Sequence, residues 1–236
     1  MTGFYMAGAL RPAYVGMPDE GFGGNMSLLD DEIAPRRILI LAAHPAPRRS
    51  VAGKALRKAV RDIEGVTFAD LYAEYPRQDI DADAEQARAE AHDVIIFLHP
   101  FFWYSTPSIL KDWQDIVLEH GWAYGHDGKA LTGKLFFSAL TAGGPEEAYS
   151  PEGYNHFPVR TLLSPLEQTA DLCGMVYLPP FAFFAAGHAH EDHRIDAHVA
   201  EWKGLLMALR DHTLDIEAAR NLPRLDGQLN SLTGEG

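Results

Sequence analysis

Four consecutive aromatic residues follow an apolar run near the middle of the chain, in the segment HPFFWYSTPSILKDW at residues 99–113. The apolar run, residues 94–98, is typical of a buried strand, and strand ends are usually closed by small polar residues that favour turns. The four residues in this place are instead large and flat: Phe101, Phe102, Trp103 and Tyr104. They could form a wall for a planar ligand, or they could plug the core beneath a helix.

The loop HPAPRRS at residues 44–50 suits a phosphate group. It contains two arginines, and its serine occupies the N-cap position of a helix whose first backbone N–H groups have no partner inside the helix. It is neither a glycine-rich dinucleotide fingerprint nor a P-loop. The two arginines could also be a solvated pair. The residues predicted to bind the cofactor here are His44, Arg49, Ser50, Val51, Ala52 and Gly53.

A third loop completes this set, because Thr141, Ala142, Gly143 and Gly144 follow another apolar run. Two glycines let the backbone approach a flat ring closely. The three loops together offer a seat for a phosphate, an aromatic wall and a backbone floor. A flavin mononucleotide needs all three, whereas a nucleoside diphosphate or a sugar phosphate needs only two. The combination favours a flavin.

The chain alternates between short apolar runs and segments with helical spacing. The five runs that predict strands are residues 36–43, 66–71, 94–98, 135–141 and 175–184, the last interrupted by Pro179 and Pro180. The segments that predict helices are residues 51–63, 81–92, 107–120, 160–174 and 193–213, with a break or second start near Ser164 in the fourth. The sequence after Asp215 predicts a loose tail.

Solid apolar strands that alternate with helices indicate a parallel sheet covered on both faces. The predicted fold class is therefore α/β, a flavodoxin-like three-layer sandwich with a five-stranded parallel sheet and helices on both faces. Residues 36–214 form the predicted flavin-binding domain, preceded by an irregular N-terminal arm, 1–35, and followed by a C-terminal tail, 215–236. Ligands of such sheets bind at the carboxyl ends of the strands, where the three loops lie.

Charge and cysteine content exclude several classes of function and partner. The formal net charge of −13 over 236 residues argues against nucleic-acid binding and against docking on anionic lipid. The single cysteine, Cys173, excludes an internal disulfide. The sequence predicts neither a signal peptide nor a membrane span, so the cytoplasm is the expected location. The segment GHAHEDH, residues 187–193, could hold a metal, but a solvated loop is favoured and no metal is predicted.

The chain resembles a known family over most of its length, from about Ile38 to about Leu209. The resemblance rests on six segments that occur in the family's order: AAHPAPRRS, DLYAEYP, DVIIFLHPFFWYSTPSILKDW, HGWAYGHDGKALTGK, TAGG and CGMVYLPPFAF. The family is that of the flavodoxin-like NAD(P)H quinone oxidoreductases, and the likeness is greatest to the ancillary oxidoreductases of glutathione-gated potassium-efflux antiporters. The N-terminal arm is not covered by it.

The resemblance implies a cofactor, a co-substrate and an assembly. It implies flavin contacts in the three loops, although Phe102 stands where the family often has glutamine. The short stretch between DLYAEYP and DIDADAEQ lacks the insertion that helps mammalian relatives hold FAD, which favours FMN. NAD(P)H is the implied co-substrate, and the implied assembly is a homodimer. Trp122 and Tyr124 resemble a loop that reaches the active site of the partner subunit; otherwise they form a plain packed loop.

The resemblance also implies two catalytic residues, a tyrosine five residues after the second glycine and a histidine shortly after it. Tyr149 has the required spacing from Gly144. His156 lies one residue later than the strict position, which Asn155 takes. The alternative is that both are ordinary loop residues without a catalytic role.

Three functions follow as hypotheses. The first is an FMN-dependent enzyme that transfers two electrons from NAD(P)H to a quinone or similar flat acceptor, in alternating half-reactions. The second is a cytosolic regulatory subunit of a potassium-efflux antiporter, peripheral to the inner membrane through that partner. The third, a one-electron carrier, is disfavoured because HPAPRRS replaces the phosphate loop of flavodoxin, which is rich in Thr and Ser.

Overall fold

A twisted parallel sheet forms the centre of the protein in the computed structural model, which describes residues 33–188 and 194–234. The strands are β1 (Ile38–Ala42), β2 (Val66–Asp70), β3 (Val94–Pro100), β4 (Leu135–Thr141), β5 (Val176–Tyr177) and β6 (Phe181–Phe183). Their order across the sheet is β2-β1-β3-β4-β5, and β6 also pairs with β4. All of these pairings are parallel.

The strand predicted over residues 175–184 is divided into β5 and β6 by Pro179 and Pro180, as the sequence indicates. A proline has no N–H group to donate to a neighbouring strand. Both pieces pair with β4, Leu135 aligning with Val176 and Ala139 with Phe181. They therefore act as a single interrupted strand, the fifth in the sheet. The predicted α/β flavodoxin-like fold is confirmed.

Helices connect the strands. Their bounds are α1 (Val51–Ala59), α2 (Leu71–Glu74), α3 (Ala82–Glu90), α4 (Ser108–Val117), α5 (Val159–Leu162), α6 (Ser164–Leu172), α7 (Arg194–Arg210), α8 (Ile216–Arg220) and α9 (Leu229–Thr233). The break predicted near Ser164 is present, between α5 and α6. Gly174, with a φ of 70°, follows α6 and lets the chain turn toward β5.

Each face of the sheet carries its own apolar core, because successive strand side chains point to opposite faces. Leu39 and Phe97 belong to the cluster that α3, α4 and α6 cover. Ile40 and Ile96 belong to the other cluster, which α1 and α7 cover. All residues of β1, β3 and β4 are buried. The result is the three-layer arrangement that solid apolar strands predict.

The segment after Asp215 is not loose, so that part of the sequence interpretation is wrong. It contains α8 and α9, and Ala219, Leu225 and Leu232 are buried in the core on the α7 side. The carboxylate of Asp226 accepts a hydrogen bond of 2.9 Å from the backbone N–H of Ala182 in β6. Burial raises the pKa of this carboxyl to about 6. The apolar residues of the segment recur every three or four positions, a helical spacing that the sequence interpretation did not use: Ala219, Leu222, Leu225, Leu229 and Leu232.

No helix within residues 33–188 and 194–234 has the length and apolar character needed to cross a membrane.

A buried carboxylate ties α3 to α4. Glu85 has no exposed surface, and its two oxygens accept hydrogen bonds from the Tyr75 hydroxyl at 2.8 Å and the Trp113 indole N–H at 2.9 Å. The Arg88 guanidinium lies 2.8 Å from the same carboxylate. A buried charge is tolerated only when it is paired and hydrogen-bonded in this way. Glu85 therefore fixes the packing of the layer beside β3.

We expect Glu85→Gln to reduce the free energy of unfolding by roughly 2–4 kcal/mol, because the new amide N–H group would face donors and the Arg88 charge would lose its buried partner. Glu74→Gln is the matched control. Glu74 also pairs with Arg88, at 2.7 Å, but its side chain is 37% exposed, and its loss should cost under about 1 kcal/mol. Urea denaturation measures both, and equal losses would contradict this role for Glu85.

Candidate functional site

A cleft of about 260 Å³ opens at the carboxyl edge of the sheet, between β1 and β3. The strand order reverses between these two strands, so their following loops leave toward opposite faces and the cleft forms where they part. The predicted cofactor residues that line it are His44, Ser50, Gly53 and Thr141. Its other lining residues include Arg48, Lys54, Arg57, Asp70 and His99.

The first turn of α1 forms one wall of the cleft. The Ser50 hydroxyl oxygen accepts a hydrogen bond of 3.0 Å from the Gly53 N–H, so the predicted N-cap is confirmed. A Cβ on Gly53 would lie only 2.5 Å from that oxygen, which explains the glycine. Val51 and Ala52 pack with Phe183 of β6 and anchor the helix start. Their N–H groups belong to the first turn, where an anion can accept them.

The two neighbouring arginines of the loop have different positions. Both are exposed, but Arg48 lines the cleft and Arg49 does not. The Lys54 ammonium group donates a hydrogen bond of 2.5 Å to the Arg48 carbonyl, which adds a second cation at this wall. The sequence interpretation selected Arg49 and did not select Lys54. Only the path of the short helix Pro47–Arg49 decides which side chain reaches the cleft.

Two histidines at the cleft are held in defined environments. The His44 Nδ1 accepts a hydrogen bond of 3.0 Å from the Ala46 N–H, so the ring has its proton on Nε2 when neutral. Burial lowers the pKa of His44, against a smaller opposing effect of Asp70. His99 is fully buried between the Pro100 carbonyl and the Ser138 hydroxyl, and burial lowers its pKa to about 4. Burial therefore disfavours the protonated form of both rings.

The aromatic run divides into one core residue and three exposed ones. Phe101 is buried and its N–H donates to the Thr141 carbonyl at 2.8 Å, so the core-plug alternative holds for this residue alone. Phe102, Trp103 and Tyr104 are 46%, 90% and 48% exposed. The Phe102 ring also lies edge-on to His44, with centroids 5.9 Å apart. The exposed part forms a ledge beside the cleft.

The ledge is a tight turn with an unfavourable backbone. The Ser105 N–H donates to the Phe102 carbonyl at 3.0 Å, and both central residues have left-handed φ, 51° at Trp103 and 60° at Tyr104. Glycine and asparagine are the usual residues in such a two-residue turn. Large side chains here cost on the order of 1–3 kcal/mol each, a strain typical of functional sites.

The loop after β4 lies next to the ledge. Thr141 and Ala142 are buried, and the Ala142 N–H donates to the Phe183 carbonyl at 2.8 Å. Gly143 is exposed with open space where a Cβ would be. A Cβ on Gly144 would lie 2.8 Å from the Tyr154 hydroxyl and 3.4 Å from the Tyr149 ring. Close approach of tyrosines explains the second glycine.

The two predicted catalytic residues differ in burial. Tyr149 is half-buried, its ring 5.3 Å from that of Phe184, and burial raises its pKa, with smaller effects of Tyr154 and Tyr104. His156 is exposed and has a left-handed φ of 62°. Asn155 is buried, and its side-chain oxygen accepts a hydrogen bond of 3.0 Å from the Tyr104 hydroxyl. Sequence reasoning did not select Asn155 or Tyr154, although the strict family spacing pointed at Asn155.

The loop with Trp122 and Tyr124 packs on its own subunit. The Trp122 indole N–H donates to the Glu90 carboxylate at 2.6 Å, and the Tyr124 ring lies edge-on to His120 at 5.4 Å. Both side chains are half-buried against the core on the α3 side. A contact with a partner subunit stays a prediction.

The candidate metal segment, residues 187–193, lies mostly outside the described residues. Among residues 33–188 and 194–234, no three His, Cys, Asp or Glu side chains are grouped so that they could hold a metal ion.

A doubly wound parallel sheet of order β2-β1-β3-β4-β5, with a cleft at the reversal point, defines a flavodoxin-like protein. The sequence agrees, because residues 36–206 match the family described as having a flavodoxin-like fold. The chain belongs to this family.

Three relatives illustrate the likeness. The glutathione-regulated potassium-efflux system ancillary protein KefG of Pectobacterium carotovorum is 44% identical over 67% of this chain and 86% of its own length. General stress protein 14 of Treponema denticola, solved in complex with FMN, is 37% identical with a TM-score of 0.69, covering 73% of this chain and 99% of that one. An NADPH-quinone reductase from P. pentosaceus is 28% identical with a TM-score of 0.66, covering 72% and 97%.

We expect Trp103→Asn to raise the free energy of unfolding of the ligand-free protein by about 1 kcal/mol, because asparagine tolerates left-handed φ and the tryptophan is almost fully exposed. Tyr104→Asn is the control, since it relieves the same strain but removes the hydrogen bond to Asn155. It should bring no gain. Urea denaturation without flavin measures both, and a loss of stability in Trp103→Asn would show that the tryptophan serves the fold.

Proposed function

We propose that the protein binds FMN and is an NAD(P)H:quinone oxidoreductase that reduces a quinone or a similar flat acceptor. The observation that carries this proposal is the ledge of Phe102, Trp103 and Tyr104, a strained turn whose Phe102 ring lies against His44 of the cleft. An exposed aromatic surface of this kind suits a planar ring, and the Trp103 side chain is 90% exposed in the free fold. The FMN complex and the quinone reductase among the similar structures support the same function.

The residues present fit FMN. The phosphate would lie against the first turn of α1, with Ser50, the N–H groups of Val51 and Ala52, and the Arg48 side chain. Among the described residues that line the cleft, the carboxylate of Asp70 is paired with Arg57 at 2.7 Å, which reduces its repulsion of an anion. The flat ring would lie between the ledge and the loop 141–144.

The short connection between α2 and α3 favours FMN over FAD. α2 ends at Glu74 and α3 begins at Ala82, so residues 75–81 alone make the connection. The Tyr75 hydroxyl in this connection is committed to Glu85. No long insertion is present there to hold an adenosine.

Bound FMN would supply a group that accepts two electrons from NAD(P)H and passes them to the acceptor in a second step. The chain itself binds and orients both partners. Tyr149 would donate a hydrogen bond to the reacting oxygen, because a tyrosine hydroxyl is protonated at neutral pH, and burial raises the pKa of this one further. His156 remains the predicted proton partner from the family pattern. The assembly proposed is a homodimer in which Trp122 and Tyr124 approach the partner's site.

The first experiment is the visible spectrum of the purified protein, followed by release and chromatography of the chromophore. We expect the oxidised-flavin bands and FMN. Released FAD would contradict the argument from residues 75–81. A colourless protein that takes up no added flavin would overturn the proposal.

Two adjacent arginines allow a test of where the FMN phosphate binds. We expect Arg48→Ala to weaken FMN binding about tenfold, because a charge-assisted phosphate contact is lost, and Arg49→Ala to change it by less than about twofold. Quenching of FMN fluorescence measures both dissociation constants. A larger effect of Arg49→Ala would mean that the phosphate does not lie in the cleft.

A regulatory role on a potassium-efflux antiporter is a second candidate, favoured by the 44% identity to KefG. In this role the protein is cytoplasmic and peripheral to the inner membrane through the antiporter. Co-purification with the antiporter's cytosolic domain tests the contact. Potassium efflux stimulated equally by wild type and by Tyr149→Phe would make regulation independent of catalysis, whereas absence of co-purification would exclude this role.

A further inference from the structure

A buried amide joins two loops that are far apart in the sequence. Asn155 is 9% exposed although it lies between the exposed residues Tyr154 and His156. Its side-chain oxygen accepts the hydrogen bond of 3.0 Å from the Tyr104 hydroxyl. Its backbone N–H donates to the Ala148 carbonyl at 3.1 Å, which fixes the loop that carries it. A side-chain hydrogen bond therefore connects the ledge to the loop 145–158.

The backbone conformation gives Asn155 and the next residue, His156, different exposure to solvent. The His156 N–H donates to the Gly153 carbonyl at 2.9 Å, and its φ of 62° turns the chain. The asparagine is consequently buried and the histidine exposed. A residue with a left-handed backbone next to a buried polar residue indicates that the loop is shaped to deliver that polar group.

We propose that Asn155 is a positioning residue, which holds the Tyr104 hydroxyl and thereby fixes the aromatic ledge against the loop of Tyr149. This inference rests on the proposed function, in which the ledge is the wall for the flavin ring. The strain at Trp103 and Tyr104 favours relaxation of the turn, and the hydrogen bond opposes it. His156 takes no part in this contact.

An amide does not titrate, so acid does not break its hydrogen bond with the Tyr104 hydroxyl. A histidine at position 155 would behave differently. Its neutral ring can accept a hydrogen bond from Tyr104, whereas its protonated ring cannot. Asn155→His therefore converts a permanent contact into one that acid breaks, which gives the test a signature that a general packing role does not produce.

The test measures FMN dissociation constants by fluorescence quenching for wild type, Asn155→Leu, Tyr104→Phe and the double variant. We expect each single variant to raise the FMN dissociation constant about tenfold. The double variant should have a dissociation constant no higher than that of the single variant that binds less tightly, because all three lose the same bond. Glu152→Gln, at an exposed position of the same loop, is the matched control and should differ from wild type by less than about twofold. Additive effects, or a large effect of Glu152→Gln, would overturn the inference.

The pH signature is measured on Asn155→His. We expect its dissociation constant, divided by that of wild type, to increase about tenfold from pH 8 to pH 5. A ratio that is independent of pH contradicts the contact. Dividing by the wild-type dissociation constant cancels the effects of titrating the FMN phosphate and His44, because both proteins share these groups.

Failure of the proposed function can be separated from failure of this inference. If wild type binds no FMN, the same four proteins are compared by urea denaturation without ligand. Coupling between the two sites, seen as a double variant whose midpoint shift is smaller than the sum of the single shifts, supports the contact. Independent shifts overturn it.

Discussion

The need to cover both faces of a parallel sheet organises this protein. The chain leaves β1 toward α1 on one face and leaves β3 toward α4 on the other, so two adjacent strands send their loops apart. The gap between those loops is the cleft. A parallel sheet whose order reverses at its centre cannot avoid such a gap. The site is thus a consequence of the fold, and the residues around it supply only its chemistry.

The ledge beside the cleft shows how the fold supports a strained feature. Trp103 and Tyr104 occupy left-handed backbone conformations that their side chains disfavour. The turn persists because it is held at three points: Phe101 is buried in the core, the Phe102 carbonyl accepts from Ser105, and the Tyr104 hydroxyl is bound to Asn155. The surrounding structure determines the turn more strongly than its own sequence does.

Charge in the cleft differs from charge over the chain. The protein has a formal net charge of −13, yet Arg48 and Lys54 lie at the start of α1, and the neighbouring Asp70 is neutralised by Arg57. The helix dipole adds positive potential at the same wall. An anionic cofactor therefore finds a local field opposite in sign to that of the whole molecule, and nonspecific binding of polyanions elsewhere is disfavoured.

The strands, the alternation with helices, the Ser50 cap and the interruption at Pro179 and Pro180 could all be predicted from the sequence, because they depend on local periodicity and on the chemistry of single residues. It also located the three loops at one edge. The tertiary structure alone decided that the segment after Asp215 is docked, that Arg48 lines the cleft in place of Arg49, and that Asn155 is buried where His156 is exposed. The last two depend on backbone turns, which leave no periodic signal in the chain. The first depends on packing between distant segments, because the helical spacing of its apolar residues does not say where those helices dock.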